Sequence, residues 1–286
     1  MRQFFIITNP YKDPELATTN EITDFLRSRG CGCPVKIARQ IQSGSRTYTD
    51  AAEVPAGTEC ILVLGGDGTL IEAARDTVEL GIPLLGINLG SLGFLAEVEK
   101  AGVKHALSLL IEDHFHTEER MMLDGQLFRG ETCMDTSYAL NDIVITRSGS
   151  MQIIHFHIYV NGQFLNEYNA DGVILSTPTG STGYNMSAGG PIVEPGAKLL
   201  VITPICPHTL NTRSVVLSGE DEVVVEMAAW KKDVLFRAEV NFDGGHAAML
   251  RMGDRIRVAR SQRTVKIVKI SQVSFLEALH KKMSEK

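Results

Sequence analysis

LVLGGDGTL, residues 62–70, decides how this chain is read. An apolar run ends in three glycines and one carboxylate, and Leu70-Ile71-Glu72-Ala73-Ala74-Arg75 then has the texture of a helix. A buried strand that passes through a glycine turn into a helix is the repeating unit of a parallel sheet. Such a sheet gathers its strand ends at one edge, where ligands bind. Glycines at that edge allow positive φ and let the backbone approach a ligand closely. The first amides of the following helix lack intrahelical partners and carry partial positive charge, which suits a phosphate. Gly65, Gly66 and Gly68 therefore read as a phosphate cradle, with Thr69 closing it. Asp67 is the odd member, because a carboxylate repels phosphate. It takes a proton from an attacking hydroxyl, holds a magnesium ion, or merely caps the helix. Neither GxxxxGK[ST] nor GxGxxG can be read through this segment, so it is neither a P-loop nor a standard dinucleotide fingerprint.

The flanking sequence gives the turn its setting. Phe4–Thr8, Cys60–Leu64 and Pro83–Asn88 read as buried strands. Pro14–Arg29, Thr69 to Leu80 and residues 100–111 read as helices. Alternating β and α segments with continuous apolar strands imply a parallel sheet covered on both faces. After about residue 118 the texture changes. Ile153–Val160, Gly172–Ser176, Leu199–Thr203, Ser214–Leu217, Glu222–Met227, Arg255–Val258 and Val265–Ile270 read as strands of a mostly antiparallel β domain. Phe275–Lys286 reads as a short amphipathic helix. The expected class is α/β followed by β, with domains at 1–115 and 116–270 and a terminal segment at 271–286.

Composition narrows the functional classes. The 286 residues carry a formal net charge of −6, which argues against a nucleic-acid binder. No stretch approaches the ~20 apolar residues of a membrane helix, so no membrane partner is expected. MRQFFIITNP, residues 1–10, holds only a four-residue apolar run and reads as a first strand and not as a leader, which makes the cytoplasm the expected location. The five cysteines, Cys31, Cys33, Cys60, Cys133 and Cys206, have no metal-site spacing and are expected as free thiols.

Gly65-Gly66-Asp67-Gly68-Thr69 resembles the GGDGT signature of NAD kinases, of diacylglycerol and sphingosine kinases and, more distantly, of phosphofructokinases. Further stretches single out the NAD kinases. GINLGSLGFLAEV (86–98) resembles their second glycine-rich segment, and ALND (139–142) their Asn-Glu motif. DGVILSTPTGSTGYNMSAGGPIVEP (171–195) resembles their longest signature, and PICPHTL (204–210) with Arg213 also fits. The resemblance, to the bacterial type of the family, runs from about residue 4 to the C-terminal helix. It implies a Rossmann-like α/β domain, a β-rich, sandwich-like domain and a final segment packed back on the first. It implies transfer of the γ-phosphoryl group of ATP to the 2′-hydroxyl of the adenosine ribose of NAD, giving NADP, with Mg2+ or another divalent metal. Some members use inorganic polyphosphate, and members are usually homodimers or homotetramers. Carried over by motif, Asp67 is the general base, and Gly68 and Thr69 belong to the phosphate loop. Asn141 and Asp142 bond the NAD, and Asp171 lies near it. Thr182, Gly183, Tyr184, Asn185 and Ser187 form the adenine and ribose pocket. The rival readings are a lipid kinase of the diacylglycerol type and a non-catalytic sensor of NAD or NADPH.

The sequence departs from the pattern in places. Asp142 stands where the family usually has Glu, and Gly183 where Ala is common. FDGGH (242–246) aligns with a segment that supplies a ligand contact in relatives, Gly245 standing where some carry Gln. Asn88, Ser91 and Gly93 lie where a role beside the nucleotide is implied. His155 and His157 share one face of a strand without an evident third ligand, so a plain strand face is the expectation. The basic residues from Arg251 to Lys269 read as a solvated strand face, with an anion-binding role as the alternative.

Overall fold

The computed structural model describes all residues except 39–48, 91–92, 150–151, 210–212, 229–236, 272 and 285–286. The chain divides into two compact units. The first joins Met1–Arg120 to Thr264–Lys286, and the second is Met121–Arg263.

The first unit is built on a parallel sheet. Its strands lie in the order Val35–Ile37, Phe4–Thr8, Cys60–Gly65, Leu84–Asn88. Phe4–Thr8, Cys60–Gly65 and Leu84–Asn88 are buried at every position, as a sheet covered on both faces requires. Phe4, Ile6, Leu62, Leu64, Leu85 and Ile87 form a core with Ile22 and Leu26 of the helix Ala17–Ser28 and with Leu107 and Leu110 of the helix Val103–Ile111. The helix Asp67–Thr77 packs on the Cys60–Gly65 and Leu84–Asn88 strands. The strand order reverses direction between Phe4–Thr8 and Cys60–Gly65, the first two strands stepping one way and the later ones the other. The segments leaving these two strands, Asn9–Lys12 and Gly66–Thr69, thus flank the switch point where open α/β sheets bind ligands.

The expected helix from Pro14 starts three residues late. Pro14–Leu16 is a 3-10 turn, with Glu15 and Leu16 at φ 58 and 57, and the α-helix begins at Ala17. The cause is Asp13, whose carboxylate accepts the amides of Thr18 and Thr19 at 2.9 and 2.8 Å and sets where the helix begins.

The second unit holds an entirely antiparallel sheet in the order Val215–Ser218, Leu199–Ile205, Gly172–Ser176, Asp142–Arg147, Ala238–Phe242, His246–Leu250. Its other layer runs from Gln163–Ala170 through Ile154–Val160 and Val223–Met227 to Asp254–Lys269. Inward residues of both layers share one core, with Phe156, Ile158 and Val225 beside Ile145, Val173 and Ile202. The α/β plus β class expected from the sequence is the one observed. Arg255–Val258 and Val265–Ile270, read as two strands, are parts of one 16-residue strand, Asp254–Lys269. The charged stretch between them stays extended because its arginines find carboxylates. Arg257 pairs with Glu222, Arg260 with Glu220 and Arg263 with Asp124. The basic stretch is thus largely neutralised within the fold. The five cysteines form no disulfide, and no described helix is long and apolar enough to cross a membrane.

Candidate functional site

The glycine turn of the first unit works by close approach. None of Gly65, Gly66 and Gly68 has positive φ, contrary to the expectation that they supply it. A Cβ on Gly65 would lie 2.4 Å from Thr69 Oγ1, and one on Gly66 would lie 2.6 Å from Lys12 Nζ. Gly66 is extended and is the N-cap of the helix Asp67–Thr77. Asn9 ties the two strand exits together: its amide donates to Leu64 O at 2.9 Å and its Nδ2 to Thr69 Oγ1 at 3.1 Å.

Asp67 does not cap its own helix. Its Oδ2 accepts Phe94 N at 2.7 Å, and its Oδ1 accepts Leu95 N and Ala96 N at 3.3 and 3.1 Å. A carboxylate offers about four lone-pair sites. Three are taken, so the group is held rigidly while Oδ2 keeps one for a hydroxyl proton. Gly93 makes room for this: a Cβ there would lie 1.7 Å from Asp67 Oδ1. Ser91 lies outside the described residues. Asn88 is structural, its Oδ1 accepting Gly90 N at 3.0 Å.

Lys12 was not singled out by sequence, yet its ammonium lies over Gly66 and near Gly90. A cleft of about 480 Å³ opens beside it, lined by Lys12, Asp13, Asn88, Gly90, Glu99 and Lys100 among others. The overlooked signal was position: Lys12 follows the first strand as Asp67 follows the third, on the two sides of the switch point.

The second unit gathers the other expected residues around the loop that contains Asn141. Leu140, Asn141 and Asp142 donate their amides to the carboxylate of Asp243 at 2.7, 2.8 and 3.0 Å. Asp243 sits at φ 49 in the turn before Gly244, a conformation favourable to few residues but open to Asp. From the other side Thr177 N donates to Asn141 O at 2.8 Å, and Thr177 Oγ1 to Leu140 O at 2.6 Å. A Cβ on Gly180 would lie 2.2 Å from Asn141 O. The loop is thereby fixed, and Asn141 Oδ1 and Thr179 Oγ1 are buried without a protein hydrogen-bond partner among the described residues. Such atoms cost free energy unless something else bonds them.

The remaining expected residues divide into two kinds. Gly183 lies against Asn141, a Cβ there falling 3.5 Å from Asn141 Nδ2. Tyr184 is half exposed, and its hydroxyl is pushed up by burial and by the nearby Cys206, Asp171 and Asp142. Asp171 is paired with Arg147 Nε at 2.7 Å. Thr182 bonds back to Thr179 O at 3.4 Å, and Ser187 is exposed at the end of the short helix Tyr184–Ser187. Asn185 differs. It is wholly buried, its Nδ2 donates to Ser181 O and Pro191 O, and its Oδ1 accepts Thr203 Oγ1 at 2.7 Å. Its side chain shapes the segment from within. His246 is engaged by Asp135 at 2.7 Å.

Asp142 is the most perturbed acid of this group. Burial first, and the Asp243 carboxylate second, push its carboxyl up to about 7.

A phosphate-sized glycine turn at a sheet switch point, with a fixed carboxylate and an ammonium, is the build of a protein that handles phosphorylated nucleotides. Residues 4–115 match the family model described as the ATP-NAD kinase N-terminal domain, and residues 140–270 match that of the ATP-NAD kinase C-terminal domain. The chain belongs to the ATP-NAD kinase family. It is 44% identical to an NAD kinase of Lachnospira eligens over 99% of this chain and 100% of that relative. It is 46% identical to an NAD kinase of Agathobacter rectalis over 99% of both. Its fold is similar to that of yeast NADH kinase complexed with NADH, with a TM-score of 0.85 and 23% identity over 100% of this chain and 88% of that one. An NAD kinase from Archaeoglobus fulgidus in complex with ATP gives a TM-score of 0.75 and 22% identity, over 98% of each chain.

The Asp142 environment makes stability depend on pH in a stated direction. Its folded pKa of about 7 lies above the ordinary 3.8. Between these values the folded state holds a proton that the unfolded chain has released, so stability falls as pH rises through this range. The cost is on the order of a few kcal/mol once the group is ionised. Asp142→Asn removes it. Thermal melts at pH 5 and pH 8 are expected to show the variant gaining on the parent as pH rises. A difference that does not change with pH would place the carboxyl in the ordinary range.

Proposed function

We propose that this chain transfers the γ-phosphoryl group of ATP to the 2′-hydroxyl of the adenosine ribose of NAD, giving NADP. Its family and its NAD kinase relatives support this activity, and they do not support the lipid-kinase or sensor readings. The observation that carries the mechanism is the carboxylate of Asp67, held by three amides with one acceptor position left.

Phosphoryl transfer asks a protein mainly for positioning and for charge stabilisation. Asp67 accepts the proton of the ribose hydroxyl as that oxygen attacks phosphorus. The glycine turn offers the first amides of its helix to phosphate oxygens, and Lys12 sets a positive charge beside them. The buried acceptors Asn141 Oδ1 and Thr179 Oγ1 fit donor groups of the NAD. Thr182, Gly183 and Tyr184 line the adenosine, with Asp142 and Asp171 near it. Asn185 and Ser187 belong to the same segment, Asn185 as its internal brace.

A divalent metal, Mg2+ first, fits as a cation carried on the donor's phosphates. The only carboxylate in the glycine turn already accepts three amides, and Mg2+ is commonly held by one or two carboxylates plus substrate phosphates. It supplies neutralisation of the phosphate charge. A cytoplasmic location, a homodimeric or homotetrameric state and use of polyphosphate as a second donor go with this activity.

The first test is NADP formation from NAD, ATP and magnesium. Asp67→Asn is expected to lower turnover by about 10³-fold or more while NAD binding, followed by calorimetry, is kept. An intact protein that binds NAD and makes no NADP from ATP or polyphosphate would overturn the kinase reading in favour of a sensor. Gly93→Ala is expected to displace the same carboxylate and lower kcat by at least about tenfold with little change in the KM for ATP. Lys12→Met is expected to act the other way, raising the KM for ATP by about tenfold or more. Equal effects of the two on kcat and KM would count against separate roles.

A further inference from the structure

The sheet layer that contains Ile154–Val160 carries a second cluster of ligating groups. Along this strand Ile154, Phe156 and Ile158 are buried, and His155 and His157 lie on the opposite, partly exposed face. The antiparallel neighbour Gln163–Ala170 sets Asn169 opposite His155 and Glu167 opposite His157. Strand pairing thus supplies the carboxylate that the sequence around the histidines lacks. One ligand atom from each of His155, His157 and Glu167 lies within 4.8 Å of the others.

The local geometry favours metal ligation over a chance meeting of polar groups. His157 Nε2 is 3.7 Å from Glu167 Oε2. His155 Nδ1 is 2.7 Å from Asn169 Oδ1. An amide oxygen only accepts, so His155 donates through Nδ1 and its lone pair falls on Nε2. Metal-bound histidines are oriented by such a bond from the other ring nitrogen to a carbonyl or carboxylate. The register also places Glu226 opposite His157 on its other flank, adding negative potential to the face. Arg255, next in that row, is held by Gly130 O and Glu131.

We propose that His155, His157 and Glu167 bind a divalent late first-row metal ion, with zinc the best match. Two imidazoles and a carboxylate are a zinc donor set, and water completes a tetrahedron at the exposed side. Imidazole donors disfavour magnesium and calcium, which take oxygen. Zinc–nitrogen bonds of about 2.0–2.1 Å require the ligand atoms to close by about 1 Å, a movement that the Glu167 side chain, 62% exposed, can make. Gln163–Ala170 is the outermost strand of its sheet. The ion would clamp this edge strand to its neighbour, at a place where pairing is otherwise one-sided. The proposal does not rest on the assignment of the phosphoryl-transfer residues.

The test uses the full-length protein, freed of metal by chelation, without nucleotide. Zinc is titrated against a chromophoric competing chelator. About one zinc per chain is expected, with affinity falling at least about tenfold in His157→Gln and in Glu167→Gln. Cys133→Ser, Cys206→Ser and His208→Gln, which remove other exposed ligating groups, are expected to leave it unchanged. Zinc is expected to raise the melting temperature of the parent and not of His157→Gln. Because Glu167 is exposed, its variant should fold even if His157→Gln does not. No stoichiometric zinc, or zinc whose affinity is the same in Glu167→Gln, would overturn the proposal.

Discussion

Three backbone amides on one carboxylate fix the geometry on which the glycine loop depends. Asp67 stands in the first turn of its helix but spends its bonds on Phe94, Leu95 and Ala96. Each charge-assisted bond is worth about 1.5–3 kcal/mol, and three converging on one group leave it little freedom to rotate. The helix start and the second glycine-rich segment are therefore held as one piece. The same device recurs in the second unit, where Asp243 collects the amides of residues 140–142. It recurs again at Glu97, whose Oε1 accepts Ile270 N at 2.7 Å and whose other oxygen meets Lys269 at 2.9 Å. In each case a buried or half-buried carboxylate organises a backbone turn that has no ladder of its own.

The sheet order determines what stands beside these turns. A parallel sheet directs every strand end to one edge, and the reversal between its first and third strands leaves the exits diverging. Asn9–Lys12 leaves one strand and Gly66–Thr69 the other. Glycine at position 66 lets the lysine ammonium lie against the helix start, and only glycine at position 65 leaves room for the threonine side chain. The glycines therefore act through missing side-chain volume, and the backbone there keeps ordinary φ values.

This difference shows what was legible in the sequence. The parallel strands were readable because burial on both faces makes them continuously apolar, as in Phe4–Thr8 and Cys60–Gly65. The strands His116–Arg129 and Thr132–Ala139 were harder, since the first opens on exposed polar positions before its buried run and the second has one buried position, at its end. Asp67 and Asn141 were visible because their motifs are local. Lys12 was not, and Asp243 was seen only as part of FDGGH, because their partners lie 54 and about 100 positions away in sequence and only the fold brings them together. Glu167 was hidden for the same reason, as its relation to His157 exists only in the strand register. Asn185 was visible as a motif residue, yet its role is internal. A motif marks a segment that must keep its shape, and some of its side chains keep that shape from inside.

Asp142 shows how burial and one neighbouring charge change the character of a carboxyl. The carboxyl is buried and close to Asp243. Three amides suit a charged Asp243, and its field then opposes charge on Asp142. A carboxyl titrating near neutrality presents both an O–H donor and an acceptor, whereas a fully ionised one only accepts. The proton held inside the loop therefore follows from burial first and from the neighbouring Asp243 carboxylate second.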